Sequence, residues 1–362
     1  MSEPLDYLII GQGLAGSLLG WELLHLGARV HLVEAKLPNS AHPVAAGILN
    51  PVTGKRIVKS WNIDELLPTA KETYRTLEKA FGEAFFEERG ILRIFRDREE
   101  KTLWETRKAD PEYAQWLGDA FDPGAFGEEL QDPHGSFEIR GGGWLSVSEL
   151  VVKLAEYFER REVLIRVPFR YEELDLESDP ECCRWKDYSA RVVIFCEGFR
   201  ATRNPWFNWL DYRLSKGEVL DVDQCLAVTD YILNKGKWIL PTGPKRARVG
   251  ATYSWDSLES GPSLTGMMEL VKDLKTLNAG KFPVSSHRAG IRPGTNDSLP
   301  YVGRHPLEPR LAILNGFGSK GSIYGPATAQ DLASHLQRDS EIREDWDIRR
   351  RLKFLDQPLE LP

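Results

Sequence analysis

The stretch Leu5-Asp6-Tyr7-Leu8-Ile9-Ile10-Gly11-Gln12-Gly13-Leu14-Ala15-Gly16 decides how the chain folds at its start. Leu5 to Ile10 is a short apolar run, and the glycines follow it at once. Beyond them Leu14, Ala15, Leu18, Leu19, Trp21 and Leu24 recur at three- and four-residue spacing, the pattern of a helix packed on a sheet. Gly27 ends that helix, and Val30 to Glu34 supplies a second strand, which completes a βαβ opening. Gly11 permits the tight turn, Gly13 lets the backbone approach a pyrophosphate, and Gly16 allows close helix–strand contact. The free N–H groups and positive end of the helix stabilise phosphate charge there. Glu34, at the end of the second strand, is placed to accept hydrogen bonds from both hydroxyls of a ribose. It favours an unphosphorylated ribose, hence FAD or NAD over NADP, and the motif alone does not separate those two.

Downstream the pattern changes. Between Asp64 and Gly118 the chain is rich in charge, with Leu66, Leu67, Ala70, Tyr74, Leu77 and Phe81 at helical spacing. Phe121 to Gly143 reads as loop, followed by a helix from about Ser146, capped by Ser146 or Ser148. Strand-like Val163 to Val167 and Val192 to Cys196 come next, the latter ending at Gly198. From Gly217 to Thr252 short β-like runs dominate, and a helix follows near Leu264 to Leu277. The last third opens with a loop-rich segment, Arg288 to Arg304, then a strand from Leu311 to Leu314. Glycine-rich Gly316 to Gly321 leads into a helix from about Pro326 to Leu336. The alternating charges of Glu341 to Arg351 read as a solvated helix.

The 362 residues suit two domains or one large discontinuous one. With 47 Lys and Arg against 54 Asp and Glu, the net charge is -7, which argues against a general affinity for nucleic acid. Cys182, Cys183, Cys196 and Cys225 form no C-x-x-C pair and sit beside no histidine at ligand spacing, so no metal site is expected. Their low number fits a reducing compartment. No secretory signal is recognisable, and no apolar run approaches the roughly 18–20 residues that span a bilayer. A cytoplasmic protein is expected; oligomeric state stays open.

The segment Ala289-Gly290-Ile291-Arg292-Pro293-Gly294-Thr295-Asn296-Asp297-Ser298-Leu299-Pro300-Tyr301-Val302-Gly303 resembles bacterial glycine oxidases, of the D-amino-acid oxidase family of flavoproteins. Asn315-Gly316-Phe317-Gly318-Ser319-Lys320-Gly321 resembles the same family's flavin-binding loop. Ala45-Ala46-Gly47-Ile48-Leu49 and Val193-Ile194-Phe195-Cys196-Glu197-Gly198 resemble further elements beside its cofactor. The resemblance implies an α/β fold: a Rossmann-type, glutathione-reductase-like FAD-binding domain plus a discontinuous α+β substrate domain with a mixed or antiparallel sheet. It implies that residues 1–72, 140–215 and 288–362 form the first, and 73–139 and 216–287 the second. It implies non-covalent FAD as cofactor, because sarcosine-oxidase relatives attach the flavin through a cysteine near the place that Gly290 occupies here. The positions it implies at the cofactor are Gly11, Gly13, Leu14, Ala15, Gly16, Glu34, Ala35, Ala46, Gly47, Ile48, Phe169, Cys196, Gly198, Phe317, Gly318, Ser319, Lys320, Gly321, Ser322 and Ile323.

The implied reaction is oxidation of the C–N bond of a small amine or amino acid, with hydride passing to flavin N5, the imine then hydrolysed, and electrons going to O2 or another acceptor. Arg292 matches the family arginine that clamps a substrate carboxylate, a task that suits the planar fork of a guanidinium; the alternative is a structural pairing with Asp297. Lys320 is either a positive charge beside the reduced flavin or a solvated loop lysine. Where glycine oxidases present a tyrosine and a methionine, this chain has Trp238 and Tyr253, which puts glycine itself in doubt as substrate. Either aromatic is otherwise ordinary packing. His42 reads as incidental, and Trp61 as core. Three alternatives stay open: a same-fold dehydrogenase using a quinone or other acceptor on an amino or 2-hydroxy acid, an oxidase like that of the tRNA wobble-uridine modifying enzymes, and a non-catalytic FAD-binding protein.

Overall fold

The computed structural model describes residues 3–128, 130–223, 228–277 and 282–355. Among these, six α-helices follow in chain order: α1 (Leu14–His25), α2 (Ile63–Phe81), α3 (Arg98–Lys108), α4 (Val147–Arg160), α5 (Leu264–Lys275) and α6 (Gly321–Arg338). The chain divides into two compact units. Unit 1 comprises Met1–Ala45, Val147–Ser215 and Ile291–Pro362; unit 2 comprises Ala46–Ser146 and Lys216–Gly290.

Unit 1 is built on an eight-stranded sheet. Its parallel core runs Leu164–Ile165, Val30–Val33, Leu5–Ile10, Tyr188–Phe195 and Leu311–Asn315, with Tyr7 opposite Val30, Ile10 opposite Phe195, and Phe195 opposite Ile313. Leu8, Ile9, Val193, Ile194 and Ile313 are almost wholly buried, as expected of parallel strands covered on both faces. Antiparallel strands Cys183–Trp185, Leu174–Asp175 and Tyr301–Arg304 complete it. α1 packs against both α4 and α6, and Gly20 lets α1 approach Leu32 and Phe158 closely.

Unit 2 contains a second eight-stranded sheet, in the order Val284–Arg292, Ser215–Val222, Arg246–Gly250, Lys237–Gly243, Ile232–Lys235, Ile91–Ile94, Ser136–Ile139, Leu117–Phe121. Ile232–Lys235 runs parallel to Ile91–Ile94, while the pairs Lys237–Gly243 with Arg246–Gly250 and Ile91–Ile94 with Ser136–Ile139 are antiparallel. The sheet is therefore mixed. Leu92, Ile94, Leu220, Leu233, Ile239 and Val249 face Leu270 and Leu274 of α5 in one apolar core.

Three expectations are corrected. Residues 46–72, 140–146 and 288–290 cluster with unit 2, not with the dinucleotide-binding segments. Ile48–Leu49 pairs with Gly143–Leu145, which pairs with Phe86–Glu88, and α2 runs unbroken through residue 72, its Tyr74 ring 6.0 Å from Phe86. The last long helix begins at Gly321, so Pro326 lies inside it. Glu341 to Arg351 is not a solvated helix: only a short 3-10 turn, Ile348–Phe354, forms. Trp346 and Ile348 there are fully buried, and Arg350 and Arg351 are held by Asp297 at 2.9 and 2.7 Å. Cys182, Cys183 and Cys196 are buried free thiols; Cys225 lies outside the described residues.

Candidate cofactor and active site

At the first βα junction of unit 1 three backbones converge with no side chain between them. Gly11 has a φ of 102°, a conformation glycine adopts freely, and its N–H donates to the Val33 carbonyl at 2.8 Å. A Cβ on Gly11 would lie 2.5 Å from the Cys196 carbonyl oxygen, and one on Gly16 only 1.9 Å from the Gly11 carbonyl oxygen. Gly13 is the extended N-cap of α1; no side chain caps the helix, and its first turn, Leu14 to Ser17, holds no acid. The Gln12 amide, itself buried, anchors the loop by donating to Ser17 Oγ at 2.8 Å and to the Val151 carbonyl of α4 at 3.0 Å. Glu34 is oriented by backbone N–H groups: Gln12 donates to Oε2 at 2.8 Å and Lys36 to Oε1 at 2.5 Å. Ala35, next to it, is half-buried. His42 also stands here, its Nδ1 3.8 Å from where a Cβ on Gly13 would sit. Burial pushes the imidazole pKa down, against the opposing field of Glu34.

The second glycine loop of unit 1 feeds α6. Asn315 bridges it to the Cys196–Gly198 turn: its Nδ2 donates to the Gly198 carbonyl at 2.9 Å, and its Oδ1 accepts from Gly316 N–H at 2.8 Å. Gly318 N–H donates to the Pro293 carbonyl at 3.0 Å, which ties this loop to the residue after Arg292. α6 starts after Lys320 with no side-chain cap and no acid in its first turn, where Gly321, Ser322 and Ile323 lie. Gly321 sits against Phe317 and against Leu14 of α1, so the two uncapped helices are neighbours. Ser319 is exposed. Lys320 is half-buried, with its ammonium 5.9 Å above the Tyr324 ring, and burial lowers its pKa.

Arg292 ends the strand Val284–Arg292 and is half-buried. Its backbone neighbours are fixed on both sides: Ile291 N–H donates to Asn39 at 2.9 Å, and Arg213 N–H to Gly294 at 2.7 Å. Phe169 packs its ring at 5.4 Å from Trp185 and 5.9 Å from Phe195. Between Cys196 and Gly198 lies a residue whose role sequence reasoning missed. Glu197 accepts from Tyr171 Oη at 2.7 Å and Asn204 Nδ2 at 2.8 Å, and burial pushes its carboxyl up to about 7. The buried Tyr212 hydroxyl has no hydrogen-bond partner among the described residues; burial first, then the fields of Tyr301 and Glu197, raise its pKa.

In unit 2, Gly47 accepts from Leu145 N–H at 2.9 Å, and Ile48, after Ala46 and Gly47, pairs with Trp144. Trp238 lies opposite Gly250, and a Cβ on that glycine would be 2.5 Å from the indole Cζ2, so the ring fills the space the glycine leaves. Tyr253 is 52% exposed, far from a core position. Among the described residues no helix is long and apolar enough to cross a membrane.

A cradle closed to a Cβ at Gly11 and Gly16, two helix starts without a side-chain cap and a carboxylate held at the end of the second strand fit a dinucleotide such as FAD. Residues 6–335 match the model of the DAO family, FAD dependent oxidoreductase. Glycine oxidase of Bacillus subtilis (strain 168) is 34% identical over 134 residues, 36% of this chain and 36% of that protein, so this match spans about a third of each. Glycine oxidase of Geobacillus kaustophilus (strain HTA426) is 25% identical over 366 residues, covering 93% of this chain and 94% of that one. In fold, iminodiacetate oxidase of Chelativorans sp. BNC1 superposes with a TM-score of 0.79 at 21% identity, over 94% of this chain and 98% of its own. A family match that runs from the first strand into α6 makes this chain a member of the DAO family of FAD-dependent oxidoreductases.

Proposed function

We propose that this enzyme oxidises the C–N bond of a small amino acid or carboxylated amine, with FAD held non-covalently and O2 as electron acceptor. The observation that carries the reading is the coupling of Arg292-Pro293 to the Gly316–Gly321 loop through the Gly318 to Pro293 hydrogen bond. It ties the backbone beside half-buried Arg292 to the loop that leads into an uncapped helix. The names of the relatives point the same way: glycine and iminodiacetate both carry an amine next to a carboxylate.

FAD, when bound, supplies the chemistry by accepting a hydride from the carbon that bears the nitrogen. The chain's residues orient and stabilise. Gly11, Gly13, Leu14, Ala15 and Gly16 are proposed to hold the diphosphate, Glu34 the ribose, and Phe317 to Ile323 the flavin end. Arg292 grips the substrate carboxylate by two parallel charge-assisted bonds. The positive end of α6 would stabilise negative charge on the reduced cofactor, and Lys320 would add a positive charge there. Trp238 and Tyr253, where glycine oxidases carry other residues, are proposed to set which amine is accepted. Anaerobic titration of the yellow protein with amino acids and N-methyl amines should bleach the flavin band with one class, and air should then yield peroxide. Bleaching without peroxide would move the acceptor from O2 to a quinone or carrier. Arg292→Ala should weaken the bleaching substrate by about 1.5–3 kcal/mol while FAD stays bound; an unchanged affinity removes the clamp.

A further inference from the structure

We infer that His42 is a ligand of the FAD diphosphate and that seating the cofactor draws a proton from solution onto its imidazole. The role rests on the seat at the start of α1 described above. His42 belongs to the turn in which Val44 and Ala45 N–H groups both return to the Ala41 carbonyl, and that turn presents the ring to the helix start. Nδ1 lies 3.8 Å from the Cβ position of Gly13, the one residue of the glycine motif around which a Cβ would meet nothing else within 4 Å. Gly11 and Gly16 are closed off by backbone, whereas Gly13 opens onto the ring. The ring is half-buried, yet among the described residues it makes no hydrogen bond.

The charged group facing it is Glu34, from the end of the second strand. The first turn of α1 carries no charge, and the helix end offers only N–H donors. In the cofactor-free chain burial outweighs the field of Glu34 and depresses the pKa below 6.5, so the imidazole is neutral near pH 7. Two diphosphate charges beside it reverse the balance, since an opposite charge within a few ångströms favours the protonated form. Both ring nitrogens then donate. The binding step balances as neutral imidazole, FAD and one solution proton going to imidazolium-bound FAD. The sign follows: with the free pKa low and the bound pKa raised, affinity is highest at low pH and falls as pH rises between the two.

The full chain, stripped of FAD, is titrated with FAD from pH 6 to 9 by calorimetry in two buffers of different ionisation enthalpy. The expected result is a Kd that rises by up to about tenfold per pH unit across part of that range, with uptake approaching one proton per FAD. His42→Gln should bind about tenfold or more weakly at the acid end, with a flat Kd and no proton uptake. His42→Lys, with a fixed charge, should bind tightly with an equally flat profile. Undiminished proton uptake in His42→Gln, or a pH-independent Kd without uptake in the unaltered chain, overturns the role while leaving the seat intact. A chain that takes up no FAD at any pH overturns the seat itself and this role with it.

Discussion

The helices of the chain begin in two different ways. In unit 2, α3 opens with Asp97, whose carboxylate accepts from Glu100 N–H at 2.8 Å, and α5 with Ser263, whose hydroxyl accepts from Gly266 N–H at 3.0 Å. α2 carries Asp64 and Glu65 in its first turn. In unit 1, α4 likewise carries Glu149 in its first turn, but α1 and α6 have neither a side-chain cap nor an acid there. Every helix start leaves four N–H groups without intrahelical partners and a positive dipole end. Where the helix serves only the fold, the chain satisfies them itself. At α1 and α6 the chain supplies neither, which suits the anion proposed above.

The strongest way to break this comparison is to give α1 the cap it lacks. Gly13 has extended backbone angles that aspartate adopts without strain, and the only atom near its Cβ position is His42 Nδ1. Gly13→Asp should leave the stripped protein as stable as before or more so, because aspartate is a favoured N-cap. FAD affinity should fall by about a thousandfold, or about 4 kcal/mol, since a carboxylate occupies the diphosphate position and like charges facing each other cost several kcal/mol. Retained yellow colour after gel filtration would show that the free helix end is not the anion site.

The next test concerns Glu197, which stands at the same junction as the Glu34 carboxylate. The Glu197 Cα is 3.5 Å from the Cβ position of Gly11, and an ionised acid there would weaken the contrast between the two kinds of helix start. Burial raises its pKa from 4.5 to about 7. A folded pKa above the unfolded one means that the group's stabilisation is fully present below pH 4.5 and is lost as pH rises through about 7. Glu197→Gln mimics the protonated form. Denaturation between pH 5 and 8 should show the unaltered chain losing about 1–3 kcal/mol relative to the glutamine variant. Parallel curves would mean that Glu197 is already ionised at pH 5.

These contrasts were unequally legible in the sequence. The α1 junction could be read directly, because each glycine answers to a local backbone clash and the flanking strands are adjacent in sequence. The second loop needs the family resemblance, and its helix, expected from about Pro326, starts five residues earlier, at Gly321. Glu197 escaped notice because its partners Tyr171 and Asn204 are brought to it by the fold, from 26 and 7 positions away. The C-terminal arginines were misread for the same reason: Asp297 is 53 positions from Arg350. His42 is a loop histidine to any pattern, and only the space around Gly13 distinguishes it.

The smallest expected effect sharpens the comparison from the other side. Asp97 caps α3, while Glu100 in that helix's first turn accepts in return from Arg96 N–H at 2.8 Å and is itself almost wholly buried. The arrangement resembles a capping box. Its carboxylate also holds the buried Arg93 guanidinium at 2.5 Å. Asp97→Ala should therefore cost about 1 kcal/mol, the usual worth of a cap, in denaturation of the stripped protein. FAD affinity should not change, because nothing at this helix start is reserved for a ligand. Asp97→Asn keeps an acceptor without the charge and should recover most of the loss. Should the alanine variant instead release FAD while keeping its stability, the capped helix starts would share the task assigned here to the uncapped ones.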